Sequence, residues 1–303
     1  MKCLIVGCGY VGLPLGAELV RQGHEVFGLR RSASAENELK TAGIQPLTGD
    51  VTKPETLAKL PRDFAWVVNC AASRGGSADD YRKIYLEGNC NLISWLAASP
   101  PEKLVYTSST SIYGQNDGSV VTEESPAEPV EETAKILVEA ENLLLNDCGS
   151  WGHSPHQKAP AVILRVAGIY GPGRGHWFRQ FLRGEARIEG DGTRWLNMIH
   201  RDDVIGCILA ALEHGKPGEI YNAADNEPVT QLKFFEWLAA ELKLPPPPRS
   251  PADAEFQRKR GVTNKRVSNA KLRTELEYQF RFPDFRKGYG AEIARRSADG
   301  SSV

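Results

Sequence analysis

The chain has 303 residues, 41% of them apolar and 25% charged, with a formal net charge of −1. That length and composition suit an ordinary globular fold of one large or two medium domains. The near-neutral balance gives no footprint for nucleic acid or an anionic membrane surface, and no apolar run is long enough to span a bilayer.

The first predicted element is a short buried strand, Lys2-Cys-Leu-Ile-Val6. It belongs to the folded domain, so a signal peptide is not expected. Gly7, Gly9 and Gly12 follow in the run Val6-Gly-Cys-Gly-Tyr-Val-Gly-Leu, and Tyr10 to Arg21 predicts a helix with Val11, Leu15 and Leu19 on one face. Strand, glycine turn and helix in that order form a dinucleotide-binding fingerprint. Gly7 permits the tight turn, Gly9 lets a pyrophosphate approach the main chain, and Gly12 lets helix and strand pack closely. The amides near Tyr10 and Val11 then face the anion, helped by the helix dipole.

Glu25 to Leu29 predicts the second strand, and Arg30 and Arg31 follow it. A fold that binds NAD commonly carries an acidic residue here. An arginine can instead make paired bonds to a 2′-phosphate, so NADP is the expected cofactor, with NAD the other possibility. The alternative is a pair of solvated arginines opening a loop. A helix over Ala35–Ala42 and a third strand, Gln45–Leu47, lead to Asp50 and Val51, where Asp50 is placed to bond the adenine amine.

Phe64 to Ala71 reads as a central parallel strand, and Tyr81, Ile84, Tyr85, Leu92, Trp95 and Leu96 mark a long amphipathic helix. A fifth strand over Lys103–Ser108, a helix over Glu132–Asn146 and a sixth strand over Ala161–Val166 complete the alternation. This predicts an α/β fold, a doubly wound parallel Rossmann sheet with a smaller C-terminal α/β lobe. The expected division is residues 1–170 for the nucleotide-binding domain, 171–298 mainly for the substrate lobe, with some elements returning to the sheet, and 299–303 for a frayed tail.

The six cysteines form no Cys-x-x-Cys pair and have no zinc-spaced histidines, so no metal is expected and a reducing cytoplasm fits. Cys8, inside the glycine turn, is either a small filler or a reactive thiol. His153 and His156 sit in a polar stretch that reads as a surface loop.

These residues now carry a resemblance. The chain is similar to the extended short-chain dehydrogenase/reductases, the NAD-dependent epimerase/dehydratase family, over nearly its whole length. The motifs are Asn69-Cys-Ala71-Ala72, Gly88-Asn-Cys-Asn91-Leu, Ser108-Ser109-Thr-Ser-Ile-Tyr113-Gly, Arg165-Val-Ala-Gly-Ile-Tyr170-Gly-Pro-Gly, Met198-Ile-His-Arg-Asp-Asp-Val and Tyr221-Asn222. The opening Gly-Tyr-Val-Gly-Leu-Pro also resembles UDP-glucose dehydrogenases, but the serine and tyrosine signature favours the epimerase/dehydratase branch. The resemblance implies that Ala71, Ala72 and Ser108 lie beside the cofactor. It implies that Ser109 holds a substrate oxygen, with Ser73 and Tyr113 near the substrate.

The family's catalytic pair is a tyrosine four residues before a lysine. No tyrosine occurs between Tyr113 and Tyr170. If Lys135 takes the lysine place, the tyrosine place holds Glu131, which could serve as proton donor if burial raised its pKa. If the helix is aligned on Glu141 instead, those places hold Leu137 and Thr133. Lys135 and Glu131 also read as an ordinary helical ion pair.

Leu196 stands where nucleotide-sugar enzymes of the family carry a diphosphate-binding arginine, and Arg194 is the nearest substitute on the same strand face. Arg174, His176 and Trp177 follow the sixth strand at the ligand end of the sheet and are candidate substrate contacts, or else part of a solvated loop. The expected function is an NADP(H)-preferring oxidoreductase or epimerase acting on a sugar-like or other small carbonyl or hydroxyl compound. The alternative is a non-catalytic NADPH-binding sensor or scaffold. The expected partner is a small-molecule substrate; a second copy of the chain could pair through Trp95 and Leu96 or Leu143–Leu145, residues that a monomer core explains equally well.

Overall fold

The structure is a computed structural model that describes residues 1–73, 75–146, 160–250 and 263–298. His153, His156, Cys148 and the 299–303 tail lie outside the described residues. Seven parallel strands form the main sheet: β1 (Lys2–Val6), β2 (Glu25–Arg30), β3 (Gln45–Thr48), β4 (Trp66–Asn69), β5 (Lys103–Ser109), β6 (Ala161–Val166) and β7 (Ile220–Ala223). Their spatial order is β7-β6-β5-β4-β1-β2-β3. The order reverses between β1 and β4, and a crevice opens there at the carboxyl ends of the strands.

Register makes that crevice a site. Val6 is level with Leu29 on one side and with Asn69 on the other. The residues just beyond them (Gly7, Arg30 and Ala71) therefore converge. β1 and β6 are apolar and buried apart from Lys2 and Arg165, and β5 is so over Leu104–Tyr106, as strands covered on both faces must be. Helix α1 (Gly12–Arg21) turns Leu15 and Leu19 inward, so Pro14 sits in its first turn, where a missing N–H costs nothing.

The long helix predicted from Tyr81 to Leu96 has a widened middle. An α-helical turn, Ala78–Tyr81, runs into a π-helical stretch, Arg82–Glu87, and then into Gly88–Leu96. The Asn89 amide donates to the Tyr85 carbonyl at 2.7 Å, a side-chain bond inserted into the backbone ladder. Asn89 also accepts from Asn69 at 2.7 Å, which fixes the end of β4. Trp95, Leu96 and Leu144 are buried in the chain's own core.

Past Tyr170 the chain builds a smaller unit around a second apolar cluster that includes Phe178, Phe234, Phe235, Phe285 and Tyr289. β7 and the Arg201–His214 helix nevertheless pack with the main sheet. Three short pairings join the parts: Gly168–Tyr170 with Met198–His200, Trp195–Leu196 with Val229–Thr230, and Val120–Val121 with Arg266–Val267. Among the described residues no helix is long and apolar enough to cross a membrane.

Candidate active site

A cleft of about 1140 Å³ runs from the glycine turn to the smaller unit. Its first half is shaped for a dinucleotide. Gly7 has φ +80°, and a Cβ there would lie 2.6 Å from the Ala71 backbone. A Cβ on Gly12 would lie 2.8 Å from the Gly7 carbonyl and 2.9 Å from Ile5. A Cβ on Gly9 would meet only the Gly7 carbonyl at 3.9 Å, so that position opens onto the cleft. No side chain caps the start of α1, and since the Leu13 amide is bonded to the Gly9 carbonyl and Pro14 has none, the amides that would meet an anion are those just before them in the turn. The residues present thus fit a pyrophosphate.

Tyr10, Val11, Asp50, Val51, Ala71 and Ala72 all line the cleft, as do Arg30 and Arg31. Arg30 is not a loose surface arginine. Its Nε donates to the Cys8 carbonyl inside the glycine turn, and its Nη1 pairs with Glu38 at 2.7 Å. Arg31 is exposed at the rim. Asp50 accepts from the Thr52 amide at 3.0 Å and the Thr52 hydroxyl at 2.8 Å, a local turn that holds its carboxylate in place. Cys8 is fully buried, and burial pushes its thiol up to about 12, which is the behaviour of a filler and not of a reactive thiolate.

The second half is lined by Thr107, Ser109 and Ser111 from the end of β5, by Arg174, His176 and Trp177, and by Arg194 to Met198. The Ser109 hydroxyl accepts from the Ser111 amide at 3.2 Å, while the Ser111 hydroxyl is buried with no partner. Arg174 lies over the Tyr10 ring, 5.0 Å from its centroid, and Arg194 pairs with Glu189 at 3.2 Å.

Several expected contacts fall elsewhere. Lys135 and Glu131 are exposed and do not line the cleft, and Lys135 pairs only loosely with Glu132 at 4.0 Å. This corrects their placement as catalytic groups. Leu137 lines the cleft and Thr133 is buried behind it, so the helix is framed on Glu141. Residues 135 and 137 lie about 200° apart around a helix, so only one of them can face the cofactor. Tyr113 is also corrected as a substrate contact. It is wholly buried and lies outside the cleft lining, with its hydroxyl donating to Asn222 and accepting from Arg165, each at 2.8 Å. Ser73 lies outside the lining too, and Ser108 lines it while its hydroxyl turns away to donate to Glu141.

Those turned-away groups form one buried network. Glu141 joins Ser108 to Arg165, Arg165 reaches Tyr113, and Tyr113 reaches Asn222, whose amide donates to Glu123 at 2.7 Å. The network ties the Glu132–Asn146 helix to β5, β6 and β7 directly below the cleft floor.

The motif reading missed Lys265. It is 4% exposed and lines the cleft, and its Nζ donates to the Tyr113 carbonyl at 2.7 Å and the Thr263 hydroxyl at 2.8 Å. Burial pushes its ammonium down to about 8. A signal was present in Lys265-Arg-Val267: strand alternation sends Lys265 inward with Val267.

Known proteins agree with this architecture. The family model described as NAD dependent epimerase/dehydratase family matches residues 3–224. Protein YeeZ of Escherichia coli is 30% identical over 289 residues, which cover 93% of this chain and 97% of YeeZ. A solved structure from Methylobacillus flagellatus, provisionally assigned as an NAD-dependent epimerase/dehydratase, is 36% identical, covers 98% of both chains and superposes with a TM-score of 0.77. The UDP-glucuronic acid 4-epimerase of Bacillus cereus shares the fold, with a TM-score of 0.80 at 22% identity over 98% of this chain and 99% of that one. A glycine turn at the strand-order reversal, a serine signature ending β5 and a match of this extent together place the chain in the NAD-dependent epimerase/dehydratase family.

Proposed function

We propose that the protein is an NADP(H)-dependent oxidoreductase that reduces a small carbonyl compound, or oxidises the matching alcohol, between Ser109 and the Arg174–Trp177 segment. The observation that carries this reading is the single cleft that joins the glycine turn to Ser109 and Ser111. A relative named 2-alkyl-3-oxoalkanoate reductase, from Shewanella oneidensis, is 27% identical over 253 residues, 78% of this chain and 65% of the relative. It favours reduction over epimerisation. A bound reduced nicotinamide supplies the hydride. The chain's own residues then orient and bind: Ser109 holds the carbonyl oxygen, Leu137 keeps water from the floor, and Arg30 with Arg31 receives the 2′-phosphate. The proton on the nascent alkoxide comes from solvent through the serine hydroxyls, because the Tyr–Lys pair is absent.

That absence favours a second reading, a protein that binds NADPH without turning it over. Stopped-flow absorbance of bound NADPH against aldehydes, ketones and oxo acids separates the two. Oxidation that falls about a hundredfold or more in Ser109→Ala supports the reductase. Tight NADPH binding with no oxidation by any of these compounds supports the sensor.

A further inference from the structure

We propose that Lys265 anchors a carboxylate of the substrate, so that the cleft takes small oxo or hydroxy acids in preference to nucleoside-diphosphate sugars. This deepens the reductase reading and rests on it. An ammonium has three N–H donors. Two of those on Lys265 are spent on the Tyr113 carbonyl and the Thr263 hydroxyl, both neutral, which leaves the third for the cleft that Lys265 lines. A buried cation without an anionic partner is costly, and a carboxylate ligand offsets part of that cost on binding. Near neutral pH the group stays mostly protonated, with its pKa at about 8.

The lysine is also held rigidly. The Asn197 amide donates to its carbonyl at 2.9 Å and accepts from the Val267 amide at 2.7 Å, and the Arg266 amide donates to the Ser119 carbonyl at 2.8 Å. The Tyr113 carbonyl that positions Lys265 follows the Thr110–Ile112 turn, which carries the unpartnered Ser111 hydroxyl as a second donor.

The surrounding charge points the same way. Among the described residues lining the cleft, Lys265 and Arg174 supply positive charge to the substrate half, Arg194 is already paired with Glu189 at 3.2 Å, and the one carboxylate in the lining is Asp50, at the end of β3 in the cofactor half. Leu196, 5% exposed and on the same wall, offers no donor. A diphosphate draws on several charged donors, whereas with Arg194 held by Glu189 and Arg174 lying over the Tyr10 ring, the Lys265 ammonium and the Ser111 hydroxyl match a single carboxylate.

The test is titration calorimetry on the full-length protein saturated with NADP+. Pyruvate, 2-oxobutyrate, 3-oxohexanoate and phenylpyruvate are each compared with the methyl ester, and UDP is titrated separately. At least one acid is expected to bind tenfold or more tighter than its ester. Lys265→Met should erase that preference, and Lys265→Arg should retain part of it. The proposal is overturned if no acid binds, if acids and esters bind alike, if Lys265→Met keeps the preference, or if UDP displaces the acids and binds equally to Lys265→Met. Should Lys265→Met fail to fold, the wild-type acid-against-ester comparison and Lys265→Arg decide. NADP+ titrated alone keeps the two readings apart. A protein that binds no NADP+ refutes the reductase, and the acid titrations repeated without nucleotide still judge Lys265.

Discussion

Arg165 and Glu141 face each other at 2.8 Å with both side chains almost completely sealed from solvent. Each also serves a neighbour, Tyr113 for the arginine and Ser108 for the carboxylate. The pair therefore fixes where β5 ends relative to the helix behind it. Breaking it from one side strands a buried charge, so Arg165→Met or Glu141→Leu alone should lower stability by about 3–5 kcal/mol. The double variant should recover a large part of that loss. Urea unfolding of all four proteins in a double-mutant cycle measures the coupling, and losses that simply add would refute it.

Gly9 and Gly12 should separate by what each accommodates. Gly9→Ala has open space, so its stability should change by less than about 1 kcal/mol, while NADPH affinity falls because the new methyl stands where the pyrophosphate approaches. Gly12→Ala collides with the Gly7 carbonyl and should lose both stability and affinity. Thermal unfolding with and without NADPH distinguishes the two outcomes.

Arg30 holds the Cys8 carbonyl in the structure and receives the 2′-phosphate in the proposed function, and the two roles can be told apart. A charge-assisted bond to a 2′-phosphate is worth about 1.5–3 kcal/mol, roughly ten- to a hundredfold in affinity. Arg30→Ala should weaken NADPH by that factor and leave NADH within a few-fold. Equal loss for both nucleotides would mean that the arginine acts through its bond to the Cys8 carbonyl, by shaping the turn, and not through the phosphate.

Lys265 predicts a pH effect of definite sign. Its folded-state pKa of about 8 lies below the ordinary value of 10.5, so the unfolded chain holds more protons between those values. Stability from this group therefore rises with pH through that window and is lowest below about 8. Wild type minus Lys265→Met should gain on the order of 3 kcal/mol between pH 7.5 and 10.5, the value of about 2.5 pKa units. Urea midpoints at both pH values provide the check, and a constant difference would show that the amine titrates normally.

The sequence carried the cofactor half of this site because its determinants are local. Gly7, Gly9 and Gly12 sit within one turn, and Arg30 and Asp50 each end a strand whose apolar run is plain. The fold class followed from the same alternation. The substrate half was harder to read because it is assembled from distant segments. Lys135 and Glu131 belong to one of two helix frames that the sequence leaves open and only packing can tell apart, and Leu137 in the cleft lining decides between them. Tyr113 looked available because its motif lies next to Ser109, yet the chain turns at Thr110–Ile112 and buries it against β6 and β7. Lys265 belongs to a two-residue pairing with Val120–Val121, too short for periodicity to announce.

That pairing sets an order of events during synthesis. On the proposed function, the glycine turn, Arg30 and Asp50 leave the ribosome long before the amine that would choose the acid. A nascent chain halted before Thr263 would have the glycine turn and Ser109 but not this amine, nor the partner for Val120–Val121. On that reading, the nucleotide cradle is made before the means of choosing a substrate.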